Sequence, residues 1–125
     1  MKWLRSKADI GMPEVQSVTE CAELLKRHFV ILFKHSPSCP VSWMAHREVT
    51  RFLAGHPDAP VYLISVRQHR DASQLVAQST GVQHESPQVL VLRKGKVIGS
   101  ASHDDISAEW LQQLTSSEQI RVEAS

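Results

Sequence analysis

The sequence predicts a single α/β domain built on a four-stranded mixed sheet with helices on both faces. Three apolar runs of strand length, at 30–33, 60–66 and 88–92, alternate with segments of helical periodicity. This alternation favours parallel strands joined by crossover helices. The third run continues through Lys94-Gly95 into another short stretch, which predicts a closing antiparallel hairpin.

The first and third helices are predicted from their capping signals. Ser17 or Thr19 can cap the first helix, and Glu20 lies three residues after Ser17, as a capping box requires. Asp71 or Ser73 is predicted to cap the third helix, and a glycine at 81 follows as a C-terminal stop.

The second and fourth helices are predicted from apolar stripes. Pro40 suits the first turn of the second helix, since its missing N–H costs nothing there, and Gly55 ends that helix. The apolar residues of this helix recur at helical spacing and are expected to face the core: Val41, Met44, Ala45, Val49, Phe52 and Leu53. Ser107 or Asp104 is expected to open the fourth helix.

Length and charge limit the possible functions. Residues 1–16 are expected to be an irregular N-terminal segment, 17–116 the domain and 117–125 a polar tail. The net charge of +1 is dispersed without a basic stripe, which argues against nucleic acid or a membrane surface as the main partner. No apolar run approaches the ~20 residues that span a bilayer, and no secretory signal pattern is present, so the expected location is cytoplasmic.

The candidate reactive group is Cys39, which lies in a polar turn between the first apolar run and the second helix. Backbone N–H groups at a helix N-terminus favour a thiolate, and the thiolate is the nucleophile. A two-thiol redox enzyme would carry a second cysteine three positions later, where this chain has Ser42. A reactive thiol in the turn after the first core strand of such a sheet is typical of a thioredoxin-like or glutaredoxin-like fold. The alternative role, a small buried hydrophobic residue, fits the polar turn poorly.

A second marker is Pro87, at the entrance to the third strand. In thioredoxin-like folds a cis-proline loop faces the reactive cysteine, and the backbone of the preceding residue pairs with an extended substrate. By this analogy the Ser86–Pro87 bond is expected to be cis, with Ser86 holding the partner. The alternative is a trans proline in an ordinary turn.

Several basic or nucleophilic residues have two possible roles. A positive charge from Lys34 or His35, a few residues before Cys39, would lower the pKa of its thiol. The alternative for Lys34 is a solvated side chain. His84 could contact substrate or cap a turn, whereas Cys21 lies on the apolar face of the first helix and is expected in the core.

No metal ligand is assigned, because the seven histidines and two cysteines form no tight ligand pair. Two alternatives remain open. One is a metal bound where His35, Cys39, His84 and His103 converge. The other is a cluster shared between two subunits.

Several blocks together resemble the monothiol bacilliredoxins of the bacillithiol system, over residues 17 to 115. They are Phe33-Lys34-His35-Ser36, Cys39-Pro40-Val41-Ser42, Arg70, Thr80-Gly81-Val82, His84-Glu85-Ser86-Pro87-Gln88 and Ser102-His103. The resemblance implies a thioredoxin-like thiol–disulfide oxidoreductase that removes bacillithiol from protein mixed disulfides.

The resemblance also implies roles for individual residues. Cys39 would be the catalytic residue, within an active-site motif of Lys34, His35, Ser36, Pro40 and Ser42. Substrate would be bound by His84, Glu85, Ser86 and Pro87. No bound cofactor is expected, bacillithiol or a similar low-molecular-weight thiol would be the co-substrate, and S-thiolated proteins would be the partners. The alternative function is a non-catalytic thioredoxin-fold module that binds a partner protein or a metal cluster.

Overall fold

The computed structural model describes the backbone of residues 12–124 and the side chains of residues 12–116. The elements are α1 (Val18–Leu25), β1 (Phe29–His35), α2 (Pro40–Gly55), β2 (Val61–Ser65), α3 (Arg70–Thr80), β3 (Gln88–Arg93), β4 (Lys96–Ser102), a 3-10 turn (His103–Asp105) and α4 (Ala108–Ala124). The strands form one sheet in the order β2-β1-β3-β4. Strand β1 pairs parallel with β2 and antiparallel with β3, and β3 pairs antiparallel with β4. The predicted fold class is confirmed.

Strand β1 divides the interior into two cores because its side chains alternate between the two faces of the sheet. Ile31 and Phe33 pack in the core that α2 and α4 cover, whereas Val30 and Leu32 pack in the core that α1 and α3 cover. All four side chains are fully buried. A strand covered on both faces has a continuous apolar sequence, and for this reason the sequence predicted this strand.

Strand β1 is longer than its apolar run. It continues through Lys34 and His35, which are 0% and 3% exposed, so two polar side chains lie inside the protein at its C-terminal end. The prediction ended the strand at Phe33 because polar residues at a strand end resemble the start of a turn. Both residues find hydrogen-bond partners inside, described below.

The N-cap prediction is confirmed for α1 but wrong for α3, whereas the predicted C-terminal stop of α3 at Gly81 is confirmed. Ser17 Oγ accepts a hydrogen bond from the Glu20 N–H at 3.0 Å, so Ser17 caps α1. Helix α3 begins at Arg70, after His69, without a side-chain cap. The His69 N–H donates to the Ser65 carbonyl at 2.8 Å, so backbone bonding from the end of β2 starts this helix before Asp71 or Ser73 is reached.

The apolar stripe of α2 is also corrected at its N-terminal end. Ala45, Val49, Phe52 and Leu53 are buried as predicted, but Val41 is 39% and Met44 60% exposed. Ser42 and Ala45 in the same two turns are buried, so only one side of the start of the helix is left uncovered. At the other end of the chain, Ser107 Oγ accepts from the Trp110 N–H and opens α4, whereas Asp104 lies in the 3-10 turn.

The edge of the sheet beyond β2 is bordered by residues 13–15. The Val15 N–H donates to the Leu63 carbonyl at 2.8 Å, and the Leu63 N–H donates to the Pro13 carbonyl at 3.0 Å. Part of the N-terminal segment expected to be irregular is thus ordered against the domain, while residues 1–11 lie outside the described residues. Between residues 12 and 124, no helix has the length and apolar character to cross a bilayer.

The α1 cap provides a test of the fold at a single hydroxyl. Ser17→Ala removes the acceptor of the Glu20 N–H and should lower the free energy of unfolding by about 1 kcal/mol. Thr19→Ala, two residues later and inside the helix, is the matched control and should leave the stability nearly unchanged. Urea unfolding of the three proteins measures the difference. Equal losses in the two variants would contradict the assignment of Ser17 as the cap.

Candidate active site

Cys39 is the N-cap residue of α2, with Pro40 in the first helical position. Its carbonyl accepts hydrogen bonds from the N–H groups of Ser42 and Trp43 at 3.0 and 3.3 Å, and its own N–H donates to the Ser36 carbonyl at 3.1 Å. These bonds fix the backbone on both sides of the thiol. Cys39 is a free, half-buried cysteine, and as the N-cap residue it lies at the positive end of the dipole of α2.

The Ser42 hydroxyl serves the structure of the turn. Ser42 is fully buried, its Oγ accepts from the Ser36 N–H at 2.9 Å, and it lies 2.8 Å from His35 Nδ1. Among the described residues, no hydrogen bond joins Ser42 Oγ to the sulfur of Cys39. The hydroxyl that replaces a second thiol therefore ties the turn to the end of β1.

His35 lies in an aromatic cluster on the α2 side of the sheet. Its ring centroid is 4.5 Å from that of Trp43, 5.2 Å from that of His46 and 5.4 Å from that of Phe33. Burial, and then the charge of His46, lower the pKa of His35 to about 4. His35 is neutral at pH 7, so the expectation that its positive charge acts on the Cys39 thiol is wrong.

Lys34 lies on the opposite face of the sheet from His35 and is 0% exposed. Its Nζ is 3.1 Å from Nδ1 of His84, in the segment before the third strand. Burial lowers the pKa of Lys34 to about 8, and burial followed by the Lys34 charge lowers the pKa of His84. A solvated role for Lys34 is therefore wrong, and His84 bonds to β1 rather than capping a turn.

The loop at the start of β3 contains a cis peptide bond between Ser86 and Pro87, as predicted. The Pro87 carbonyl accepts from the His103 N–H at 3.0 Å, which fixes the loop to the end of β4. Gln88 Nε2 donates to the Gln83 carbonyl at 2.9 Å, and this bond fixes the other end of the loop. Ser86 Oγ is buried and has no hydrogen-bond partner among residues 12–116.

The remaining loop residue assigned to the site, Glu85, lies at its surface. Its Oε1 is 3.7 Å from Nδ1 of His103, with both side chains about half exposed. His103 has a φ of 56°, in the left-handed region, where β4 turns into the 3-10 helix. Glu85 thus lies at the rim of the loop, next to this imidazole.

An exposed apolar surface adjoins Cys39, and it includes Val41 and Met44, which were predicted to face the core. Trp43 is 49% exposed, and its Nε1–H donates to the Pro37 carbonyl at 2.7 Å, in the turn that carries the cysteine. With Val41 and Met44, it presents apolar side chains from the first two turns of α2. A groove of about 250 Å³ runs from Val41 and Met44 towards the 3-10 turn. In the sequence, Val41 and Met44 are the first residues of the apolar stripe of α2, a pattern that predicts burial.

The second cysteine lies apart from this site. Cys21 packs on the α1 side of the sheet with its Sγ 3.7 Å from the Ala72 carbonyl, and burial raises its pKa to about 11. Both cysteines are free thiols. The predicted core role of Cys21 is confirmed. Across the described part of the chain, no group of three or more His, Cys, Asp or Glu side chains is placed to hold a metal ion.

The buried hydroxyl at the turn can be tested by its removal. Ser42→Ala leaves the Ser36 N–H and His35 Nδ1 without this partner, so the free energy of unfolding should fall by about 2 kcal/mol. Ser38→Ala, at an exposed position of the same turn, is the control and should have little effect. Chemical denaturation measures both. A Ser42→Ala protein as stable as the control would show that these bonds do not hold the turn.

The buried neutral imidazole predicts a dependence of stability on pH. The pKa of His35 is about 4 in the folded protein against 6.5 for the ordinary group, so the unfolded chain binds more protons between these values. The free energy of unfolding should therefore fall as the pH drops from 6.5 to 4, by about 3 kcal/mol from this residue. His35→Gln cannot titrate and should show a shallower slope in urea unfolding across this range. Identical slopes in the two proteins would refute the assignment.

Comparison with known proteins assigns the family. The family of monothiol bacilliredoxin BrxC matches residues 11–111. A solved structure described as a candidate oxidoreductase with a thioredoxin fold is 31% identical, covers 82% of this chain and 92% of its own, and superposes with a TM-score of 0.76. Thioredoxin from Trypanosoma brucei brucei is 16% identical, with coverages of 88% and 93% and a TM-score of 0.67. Fasciola hepatica thioredoxin is 13% identical, with coverages of 84% and 97% and a TM-score of 0.65. The two thioredoxins share the fold, and the match over 11–111 shows that the chain belongs to the monothiol bacilliredoxin family.

Proposed function

We propose that this protein is a monothiol oxidoreductase that removes bacillithiol, or a similar low-molecular-weight thiol, from mixed disulfides on protein cysteines. Membership of the bacilliredoxin family and the 31% identical thioredoxin-fold relative support thiol redox function in general. The observation that carries the finer proposal is the half-buried Cys39 at the start of α2, with the buried Ser42 hydroxyl at the position of a resolving thiol.

The proposed reaction is one thiol–disulfide exchange. The Cys39 thiolate attacks the sulfur of the small thiol, the disulfide between the small thiol and the target protein breaks, and a new disulfide forms on Cys39. The electron pair of the broken bond leaves on the target cysteine, which takes a proton from water. A second small thiol, as thiolate, then attacks the adduct, releases the Cys39 thiolate and leaves as the disulfide of the small thiol.

The residues around Cys39 have complementary roles in this proposal. Ser42 and the backbone bonds of the Ser36–Cys39 turn hold the sulfur at the end of α2. The backbone of Ser86, before the cis proline, would pair with the target protein, and Glu85 would contact it at the rim. Since Ser42 cannot form a disulfide and Cys21 is buried in the other core, the adduct waits for an external thiol.

We propose the cytoplasm as the compartment of this reaction. Disulfides are rare there because thiol systems keep cysteines reduced, and a free cysteine at a half-buried position fits such surroundings. The partners would be S-thiolated proteins, and the only co-substrate would be the small thiol.

Transfer of the small thiol tests the proposal. A target protein carrying a bacillithiol mixed disulfide should lose the modification when mixed with the wild-type protein, and intact mass spectrometry should find bacillithiol on Cys39. Cys39→Ser should abolish both release and adduct. Cys21→Ala, which removes the other thiol, is the control and should retain both.

The outcomes separate the candidate functions. A target carrying glutathione in place of bacillithiol, run in parallel, identifies the preferred small thiol. Absence of release and adduct with either target would reject the oxidoreductase and favour a binding module. Release that persists in Cys39→Ser would show that another group performs the exchange.

A further inference from the structure

Lys34 is a buried cation whose described hydrogen-bond partner is an imidazole. Its side chain is 0% exposed, and its Nζ lies 3.1 Å from His84 Nδ1. An apolar side chain of similar length would fill this position without the cost of desolvating an ammonium group. The proposed exchange at Cys39 gives Lys34 no step, so its presence calls for another role.

The charges of Lys34 and His84 determine which of the two donates the hydrogen bond between them. With a pKa of about 8, Lys34 remains mainly protonated at pH 7, and its ammonium group can only donate. The lowered pKa of His84 keeps its ring neutral, so Nδ1 accepts and the ring proton lies on Nε2. A hydrogen bond from a charged donor is stronger than one between neutral groups.

Gln88 forms a parallel connection to the same loop. Lys34 and Gln88 are directly opposed in the antiparallel β1–β3 pair, which places their side chains on one face of the sheet. Gln88, 2% exposed, donates to the carbonyl of Gln83, the residue next to His84. Two neighbouring buried side chains therefore hold two consecutive residues of the loop that leads to the cis proline.

We propose that Lys34 is a positioning residue that holds the 83–87 loop through His84 and thereby sets the affinity for protein-borne mixed disulfides without changing the reactivity of Cys39. This inference rests on the proposed function. A small disulfide would need only the half-buried thiol of Cys39, whereas an extended target chain would also need the loop backbone at Ser86. A loop that is already ordered binds the target chain with a smaller loss of conformational entropy. The buried Lys34 cannot itself touch the target.

The test compares two substrates in three variants. Lys34→Met and His84→Ala should each raise KM for a protein mixed disulfide about tenfold, the effect expected from losing one charge-assisted hydrogen bond. The kcat for that substrate, and the rate constant of Cys39 with a small disulfide such as hydroxyethyl disulfide, should stay within about twofold. The double variant should be no worse than either single variant, since both remove the same bond.

Controls make each result decisive. Lys96→Met removes an exposed charge at the opposite end of the sheet and should change neither parameter. A parallel loss with the small disulfide, or additive effects in the double variant, would overturn the proposal. If Lys34→Met does not fold, the backbone order at Glu85 and Ser86 in His84→Ala, measured without a target protein, decides the question, because a direct contact between His84 and a target cannot affect it.

A measurement independent of activity separates this inference from the proposed function. NMR relaxation of the backbone amides of Glu85 and Ser86 should give lower order parameters in Lys34→Met and His84→Ala than in the wild type and Lys96→Met. Lower order parameters would support the role of Lys34 in holding the loop even if the wild type released no small thiol from a target protein, a result that would reject only the proposed function. Unchanged order parameters would refute the role of Lys34.

Discussion

The site depends on the burial of two adjacent polar residues at the end of β1. Because side chains alternate along a strand, Lys34 and His35 enter opposite faces of the sheet. Each must find a hydrogen-bond partner in its own core, since a buried polar group without one is costly. His35 finds the Ser42 hydroxyl of α2, and Lys34 finds His84 of the loop before β3. One strand end therefore fixes the position of both halves of the site.

This arrangement explains why Ser42, which cannot form a disulfide with Cys39, still keeps the turn around Cys39 ordered. The hydroxyl is buried and engaged by both the Ser36 N–H and the His35 ring. The turn that carries Cys39 is thus held by the residue that replaces a second thiol. Cys39 is the one thiol at this end of the described structure, and Cys21 is buried in the other core, so no second thiol is placed to form an internal disulfide with it.

The sequence predicted those parts of the fold whose signals are apolar and periodic. Continuous apolar runs indicated strands β1, β2 and β3, and the residues around Cys39 and Pro87 indicated the site. The side of the sheet that each polar residue enters could not be predicted, because β1 continues past Phe33 into polar residues that read as a turn. The start of α3 was also missed, since the backbone bond from His69 to Ser65 carries no side-chain signal.

The exposure of apolar residues beside Cys39 follows from the same geometry. Cys39 comes four residues after the end of β1, and the buried Ser42 hydroxyl, bonded to His35, sets which side of the first helical turn packs against that strand. Val41 and Met44 continue the stripe that buries Val49 and Phe52 further along, but they extend past the core that would cover them. The contact that fixes the turn through Ser42 therefore leaves Val41 and Met44 uncovered, and an exposed apolar surface lies beside the half-buried thiol.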